Sequence, residues 1–400
     1  MTLEYTSAGD QGRLQFEEVI EKYLASRADT MPALDRLLQA DPEMPMALLF
    51  RAAMLKLAAD PRFRDAIEQC LATVAGQSLN DREQLHLQAM QLWQADQMVE
   101  AAQAYDSITA SYPHDILALK LAHYLYFYTL GGRAMVQSID AVIGAWTTSA
   151  PCYGYLKGMQ AFAREEAGDY ATAEAAGREA LEHNPADIWA AHAVTHVFQM
   201  QQRFSEALPF VESLVDEWRE INNFVGHMHW HKALLHIGLG EPDAALAIYD
   251  DLLVTPLADD FYLDVCNAAS LLWRLDMLGV DTGDRWQGLL ALSRNRIQDD
   301  ELVFTSLHYL MAPAVLGDRQ ATQAAIDHYE RWATASGTQA RVTREVGQRM
   351  AEAIVLLGRK QYAEGARQLD GVADQIHHIG GSHAQRHLFN QLIHYYGTNP

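Results

Sequence analysis

Two turns of one design recur in this chain, Ala167-Gly168-Asp169-Tyr170-Ala171-Thr172-Ala173 and Gln201-Gln202-Arg203-Phe204-Ser205-Glu206-Ala207, and their aromatic residues stand 34 positions apart. Each is a polar turn, then an aromatic ring, then alanine. Gly358-Arg359-Lys360-Gln361-Tyr362-Ala363 repeats the pattern, and Gly240-Glu241-Pro242-Asp243-Ala244-Ala245-Leu246 is a related turn at an altered interval. An interval of this length holds one pair of antiparallel helices, so the chain is constrained to a row of stacked hairpins. The segments between turns agree. Residues 46–59 and 268–278 place apolar side chains three and four apart, the spacing of a buried helix stripe, and roughly twenty such segments of ordinary helix length can be counted. Strand signals are nearly absent, because β-branched runs are short and no Asn-Gly or Asp-Gly turn joins alternating segments.

The interval is that of the tetratricopeptide repeat. Ala173, Ala180 and Pro185 keep its order of small residue, small residue and helix-ending proline, with Ala161 where glycine is usual. The expected fold is all-α, a right-handed superhelix of tetratricopeptide-like antiparallel helix hairpins, long enough to close nearly around a central pocket. It is read as one solenoid over residues 1–400, with N-terminal repeats at 1–112 and the site-bearing repeats at 113–400. The break in character near Pro113-His114-Asp115 is weak.

Hydrophobic residues make up 49% of the chain and charged residues 20%, which excludes a disordered chain. The 30 Lys and Arg against 52 Asp and Glu leave a net charge of -22. Such a surface repels nucleic acid and anionic membranes, so neither is an expected partner. No apolar run reaches the ~20 residues of a membrane span and the first residues lack a signal-peptide pattern, so the expected compartment is cytoplasmic. Cys70, Cys152 and Cys266 are odd in number and widely spaced, and are expected to be buried small hydrophobes. A homodimer is compatible with the composition.

Histidines supply the chemistry. His192 and His196, like His227 and His231, are four apart and share a helix face, the spacing of two imidazoles on one metal. His229 points elsewhere. These four are the expected ligands of zinc or iron, although histidine is also common at the edges of helical cores. His192-Ala193-Val194-Thr195-His196 lacks the glutamate that serves as base in zinc peptidases, so the base must come from another helix. Glu166, His308 and His383 are the candidate proton carriers. Glu165, Glu166, Asp264 and Asp276 otherwise read as solvated or ion-paired groups. Ser382 and Gln385 form a capping box after Gly380 and Gly381, and the helix start with Arg386 is the expected seat of an anion. Trp230 and Trp273 are candidate pocket walls.

In order along the chain, Tyr155-Leu-Lys-Gly158-Met159 to Glu165-Glu166, Asp187-Ile-Trp189 to His192 and His196, His227-Met-His229-Trp230-His231, Ala268-Ala-Ser270-Leu-Leu-Trp273-Arg274 and Gly380-Gly-Ser-His383-Ala-Gln385-Arg386 resemble the tetratricopeptide repeat protein 38 family. The resemblance covers about Asp115 to His394. It implies a repeat scaffold with these motifs facing inward. The family pattern tends to carry an acid where this chain has Gln199, Ser306, His387 and Asn267, which implies altered or lost chemistry here.

The expected function is a small-molecule enzyme, a metal-dependent hydrolase or related lyase acting on an amide- or carboxylate-bearing metabolite. The competing expectation is a scaffold whose groove holds a peptide or protein partner.

Overall fold

The computed structural model describes residues 3–398, and every regular element in them is helical. The helices are α1 (Asp10–Leu24), α2 (Thr30–Ala40), α3 (Pro45–Leu57), α4 (Arg64–Ala75), α5 (Asp81–Gln94), α6 (Met98–Ser111), α7 (Ile116–Phe127), α8 (Gly132–Val142), α9 (Tyr153–Glu166), α10 (Tyr170–His183) and α11 (Ile188–Met200). They continue as α12 (Phe204–Leu214), α13 (Phe224–Gly238), α14 (Pro242–Ile248), α15 (Tyr262–Met277), α16 (Arg285–Arg296), α17 (Val303–Val315), α18 (Arg319–Trp332), α19 (Thr338–Val342), α20 (Gln348–Gly358), α21 (Tyr362–Asp370) and α22 (His383–Thr398). The chain is a tetratricopeptide-like helical repeat.

The recurring turns act as stop and start signals. Gly168, Gln202 and Lys360 all adopt a left-handed backbone that ends one helix. The aromatic that follows, Tyr170, Phe204 or Tyr362, is the first residue of the next helix. Aspartates begin several helices by accepting a backbone amide: Asp115 from Ala118, Asp169 from Thr172, Asp187 from Ala190 and Asp318 from Ala321. An aspartate in this position satisfies one amide that the helix itself leaves open.

By packing, the chain falls into two units, residues up to Phe198 with Pro209–Val225, and Gln199–Leu208 with Gly226 onward. Pro113 lies inside the first unit, between α6 and α7. In that unit α9 and α10 pair through Ala161, Ala173 and Ala180, all fully buried, and Gly177 lies against Val194 and Ala161. The start of the same unit meets its end: Ala28 donates its amide to the Glu220 carbonyl, Asn222 donates to the Ser26 carbonyl, and Arg27 pairs with Ile221. In the second unit the Phe204 ring occupies the space where a side chain on Gly238 would sit. That contact is the aromatic plug of the repeat.

Helices α3, α7 and most of α11 in the first unit, and α15 and α17 in the second, are buried nearly all round. An amphipathic stripe would leave one face to solvent, so these are the inner helices. Their buried polar side chains are therefore the ones that need an explanation. Cys70 and Cys266 are buried as expected, whereas Cys152 is only partly so and takes a left-handed backbone ahead of α9. Among the described residues no helix is long and apolar enough to cross a membrane.

Candidate functional site

In the first unit, α9 ends on Glu165 and Glu166, and α11 brings His192 and His196 one turn apart. Glu165 and His196 are both 0% exposed, with His196 Nδ1 3.4 Å from Glu165 Oε2. Glu165, Glu166 and His196 each place one ligand atom within 4.8 Å of the others. Of the two alternatives, solvated or ion-paired, both glutamates are buried rather than solvated, and Glu165 faces His196. His192 stacks on Phe162 at 5.3 Å and meets the His196 ring at 4.3 Å. Two carboxylates and an imidazole in a buried setting suit a divalent cation.

On α7 and at the start of α11 lies a group to which the sequence reading gave no role. Lys120, His123 and Asp187 are all buried, and Lys120 Nζ sits 3.6 Å above the Trp189 ring and 5.0 Å from the Tyr124 ring centre. Burial pushes the Lys120 pKa down to about 7, with Asp187 opposing. Burial likewise pushes Asp187 up to about 6, against the amides it accepts and Lys120. His123 is held well below the usual histidine value by burial and by Lys120. One signal was available: Lys120 stands alone in the otherwise apolar Ala118-Leu119-Lys120-Leu121-Ala122.

In the second unit, His227 and His231 share one face of α13 with ring centres 4.7 Å apart. His227 Nδ1 donates to Asn267 Oδ1 at 2.9 Å, and His231 Nδ1 donates to Gln199 Oε1 at 2.9 Å. An oxygen acceptor on Nδ1 puts the lone pair on Nε2, the tautomer of a ligand or a base. Gln199 and Asn267 thus present amide oxygens that orient the two imidazoles. Asn267→Asp is expected to raise the His227 pKa, because a carboxylate 2.9 Å away favours the imidazolium. Histidine ring resonances followed against pH in the variant and the parent check this.

The remaining expected site residues of the second unit divide. Trp230 is fully buried, donates Nε1–H to Ser270 Oγ at 3.0 Å and stacks on His227, so it braces the histidine. Trp273 donates to the Tyr396 hydroxyl and lines a cleft of about 310 Å³ with Asp276, Tyr362 and Tyr395. His308 donates Nδ1–H to the Phe304 carbonyl, and burial lowers its pKa to about 4, so it stays neutral and suits an acceptor role better than an acid. Ser382 and Gln385 form the capping box, with amide bonds of 2.8 and 3.2 Å, and both are buried. Those two amides are thereby used by the protein itself. Arg386 donates to the Gly381 carbonyl, and His383 is half-buried at the start of α22. Gly381, at φ +78, lies where a side chain would strike the Phe304 ring, which is why glycine stands here.

Arg274 was quoted in the sequence motif without a role. It is buried and donates to Gln391 Oε1 and to the carbonyls of Ser270 and Ala384, tying α15 to α22. Burial lowers its pKa to about 9.

Two solved structures align with most of the chain. The crystal structure of Rap protein complexed with competence and sporulation factor does so at TM-score 0.41 and 10% identity, over 89% of this chain and 94% of that one. The crystal structure of the P58(IPK) TPR domain does so at TM-score 0.23 and 13% identity, over 97% and 99% respectively. No known family profile matches the chain.

Proposed function

We propose that the chain acts on a small polar molecule inside its first unit, with Glu165, Glu166 and His196 holding a divalent metal, zinc or iron. The observation that supports this is the convergence of those three ligand atoms within 4.8 Å in a fully buried place. A metal so held supplies Lewis acidity, which favours hydrolysis or a related lyase reaction on an amide or carboxylate. The chain's own part is to keep water out with Phe162 and Trp189 and to hold His192 against His196. His196 Nδ1 lies 3.4 Å from Glu165 Oε2. Membership of the tetratricopeptide repeat protein 38 family is part of the same proposal. It rests on the ordered motifs around Glu165-Glu166, His192 and His227.

The test is elemental analysis of untagged protein after equilibration with zinc or ferrous iron. About one ion per chain is expected, falling to background in both Glu165→Gln and His196→Ala while far-ultraviolet circular dichroism is unchanged. Wild-type protein that takes up no metal, or variants that keep it, would overturn the reading.

A second reading, a scaffold that grips a peptide or protein partner, is favoured by the open cleft lined by Trp273, Tyr362, Tyr395 and Tyr396. Aromatic clefts on helical repeats suit side chains of an extended ligand. Peptide-array binding that is lost in Tyr396→Ala and kept in Glu165→Gln would support this second reading.

A further inference from the structure

We propose that Lys120 is a reactive amine that forms an imine with a small 2-oxo acid admitted to the first unit. The site shares the Trp189 ring with the metal reading but none of its proposed ligands, and it stands if that reading fails.

Lys120 is 4% exposed and lies on one face of α7 with His123 and Tyr124. Its ammonium has the Trp189 and Tyr124 rings for neighbours and forms neither a hydrogen bond nor an ion pair. Other polar atoms of the same neighbourhood also lack a hydrogen-bond partner while buried: both ring nitrogens of His123, Asp187 Oδ2 and Trp189 Nε1. Native interiors leave few such atoms, so a cluster of them calls for a partner that the chain's own side chains do not supply. The rings tie the group together, with His123 and Trp189 centres 6.0 Å apart. Asp187 is held in place by the start of α11, where its other oxygen accepts the Ala190 amide at 3.0 Å. Gly158 packs closely against Asp187 and Ala190, where an added Cβ would stand 3.2 Å from Asp187 Oδ2 and 3.4 Å from the Ala190 methyl group.

The chemistry fits a carbonyl compound that also carries a carboxylate. A desolvated lysine keeps its lone pair near neutral pH and is the usual amine nucleophile toward carbonyls. The nitrogen lone pair forms the C–N bond, and the carbonyl π pair moves to oxygen, which takes a proton from the Asp187 carboxyl. A nitrogen-bound proton then returns to Asp187. In the second half Asp187 protonates the hydroxyl, the C–O bond breaks, water leaves and the nitrogen lone pair completes the C=N bond. The products are a protonated imine facing the Asp187 carboxylate, and water. Trp189 Nε1–H and the His123 ring are left to receive the ligand's carboxylate.

The test treats the full chain with glyoxylate and cyanoborohydride at neutral pH and follows carboxymethyl addition to each lysine by peptide mass spectrometry. Lys120 is expected to react about tenfold faster than exposed Lys360, because only Lys120 is desolvated. Asp187→Asn keeps the helix cap and is expected to slow addition at Lys120 while leaving Lys360 unchanged. Lys120→Met removes the fast adduct and retains the fold, as judged by an unfolding temperature at or above that of the parent. A Lys120 that is unmodified, or no faster than Lys360, would overturn the proposal. An unchanged rate in Asp187→Asn would remove Asp187 from the step.

Discussion

Asp115→Ala lowers the stability of the first unit by about 3–5 kcal/mol, the range for removing one partner of a buried ion pair. Arg82 Nη1 donates to Asp115 Oδ2 at 2.7 Å, His86 Nε2 donates to the same oxygen at 2.8 Å, and the Ala118 amide donates to Oδ1 at 3.0 Å. The Arg82 side chain is 3% exposed and that of Asp115 1%, so removal strands a guanidinium out of water. Arg82 also donates to the Glu4 carbonyl and lies over the Tyr5 ring, and its neighbour Glu83 binds Thr6. The N-terminal segment is therefore expected to loosen together with α5 and α7. Urea unfolding of the full chain measures the loss. The double variant Arg82→Met with Asp115→Leu should recover most of it, because a buried pair is replaced by apolar packing.

The same carboxylate sets a pH dependence. Burial alone would raise the Asp115 pKa, but His86 and Arg82 together hold it well below the usual carboxylate range. A pKa depressed in the folded state means that the stabilisation is fully present above the unfolded carboxylate value. It is lost as pH falls below that value toward the folded one. Asp115→Asn is expected to flatten this acid limb of the stability curve.

Gly132→Ala is expected to cost about 1–3 kcal/mol by overpacking. A methyl group at Gly132 would lie 2.3 Å from the Glu166 carbonyl carbon and 2.5 Å from the Ala167 nitrogen. These are backbone atoms at the end of α9, so no side-chain rotation relieves the clash. Either α8 shifts or the Glu165-Glu166 end of α9 does, and the second response reaches the proposed metal ligands. The comparison is Gly144→Ala, where nothing lies within 4 Å of the added carbon; its effect should stay within about 0.5 kcal/mol. Thermal unfolding and metal stoichiometry measured on both variants separate a packing cost from a displaced site.

The repeat architecture was legible because its signals are local. Tyr170, Phe204 and Tyr362 open their helices as the turn pattern requires, and left-handed Gly168, Gln202 and Lys360 precede them. The pairing of His192 with His196, and of His227 with His231, follows from helical phase alone. So does the capping box of Ser382 and Gln385. Burial of Glu165 and Glu166 was not legible, since two adjacent acids at a helix end read equally as a solvated terminus. Their setting depends on Gly132 and His196, which lie on other helices. The roles of Gln199 and Asn267 were not legible, because the imidazoles they bind are brought to them by packing.

By itself, the sequence determined where helices start and stop and which faces are apolar, because capping, glycine conformation and the 3.6-residue period act within a few residues. Only the tertiary structure decided which polar side chains meet. Lys120 on α7 is separated by about two repeats of chain from Asp187 and Trp189 at the start of α11. Their approach is set by helix packing, and their altered acidity comes from the removal of water, a property of the folded interior that no linear spacing carries.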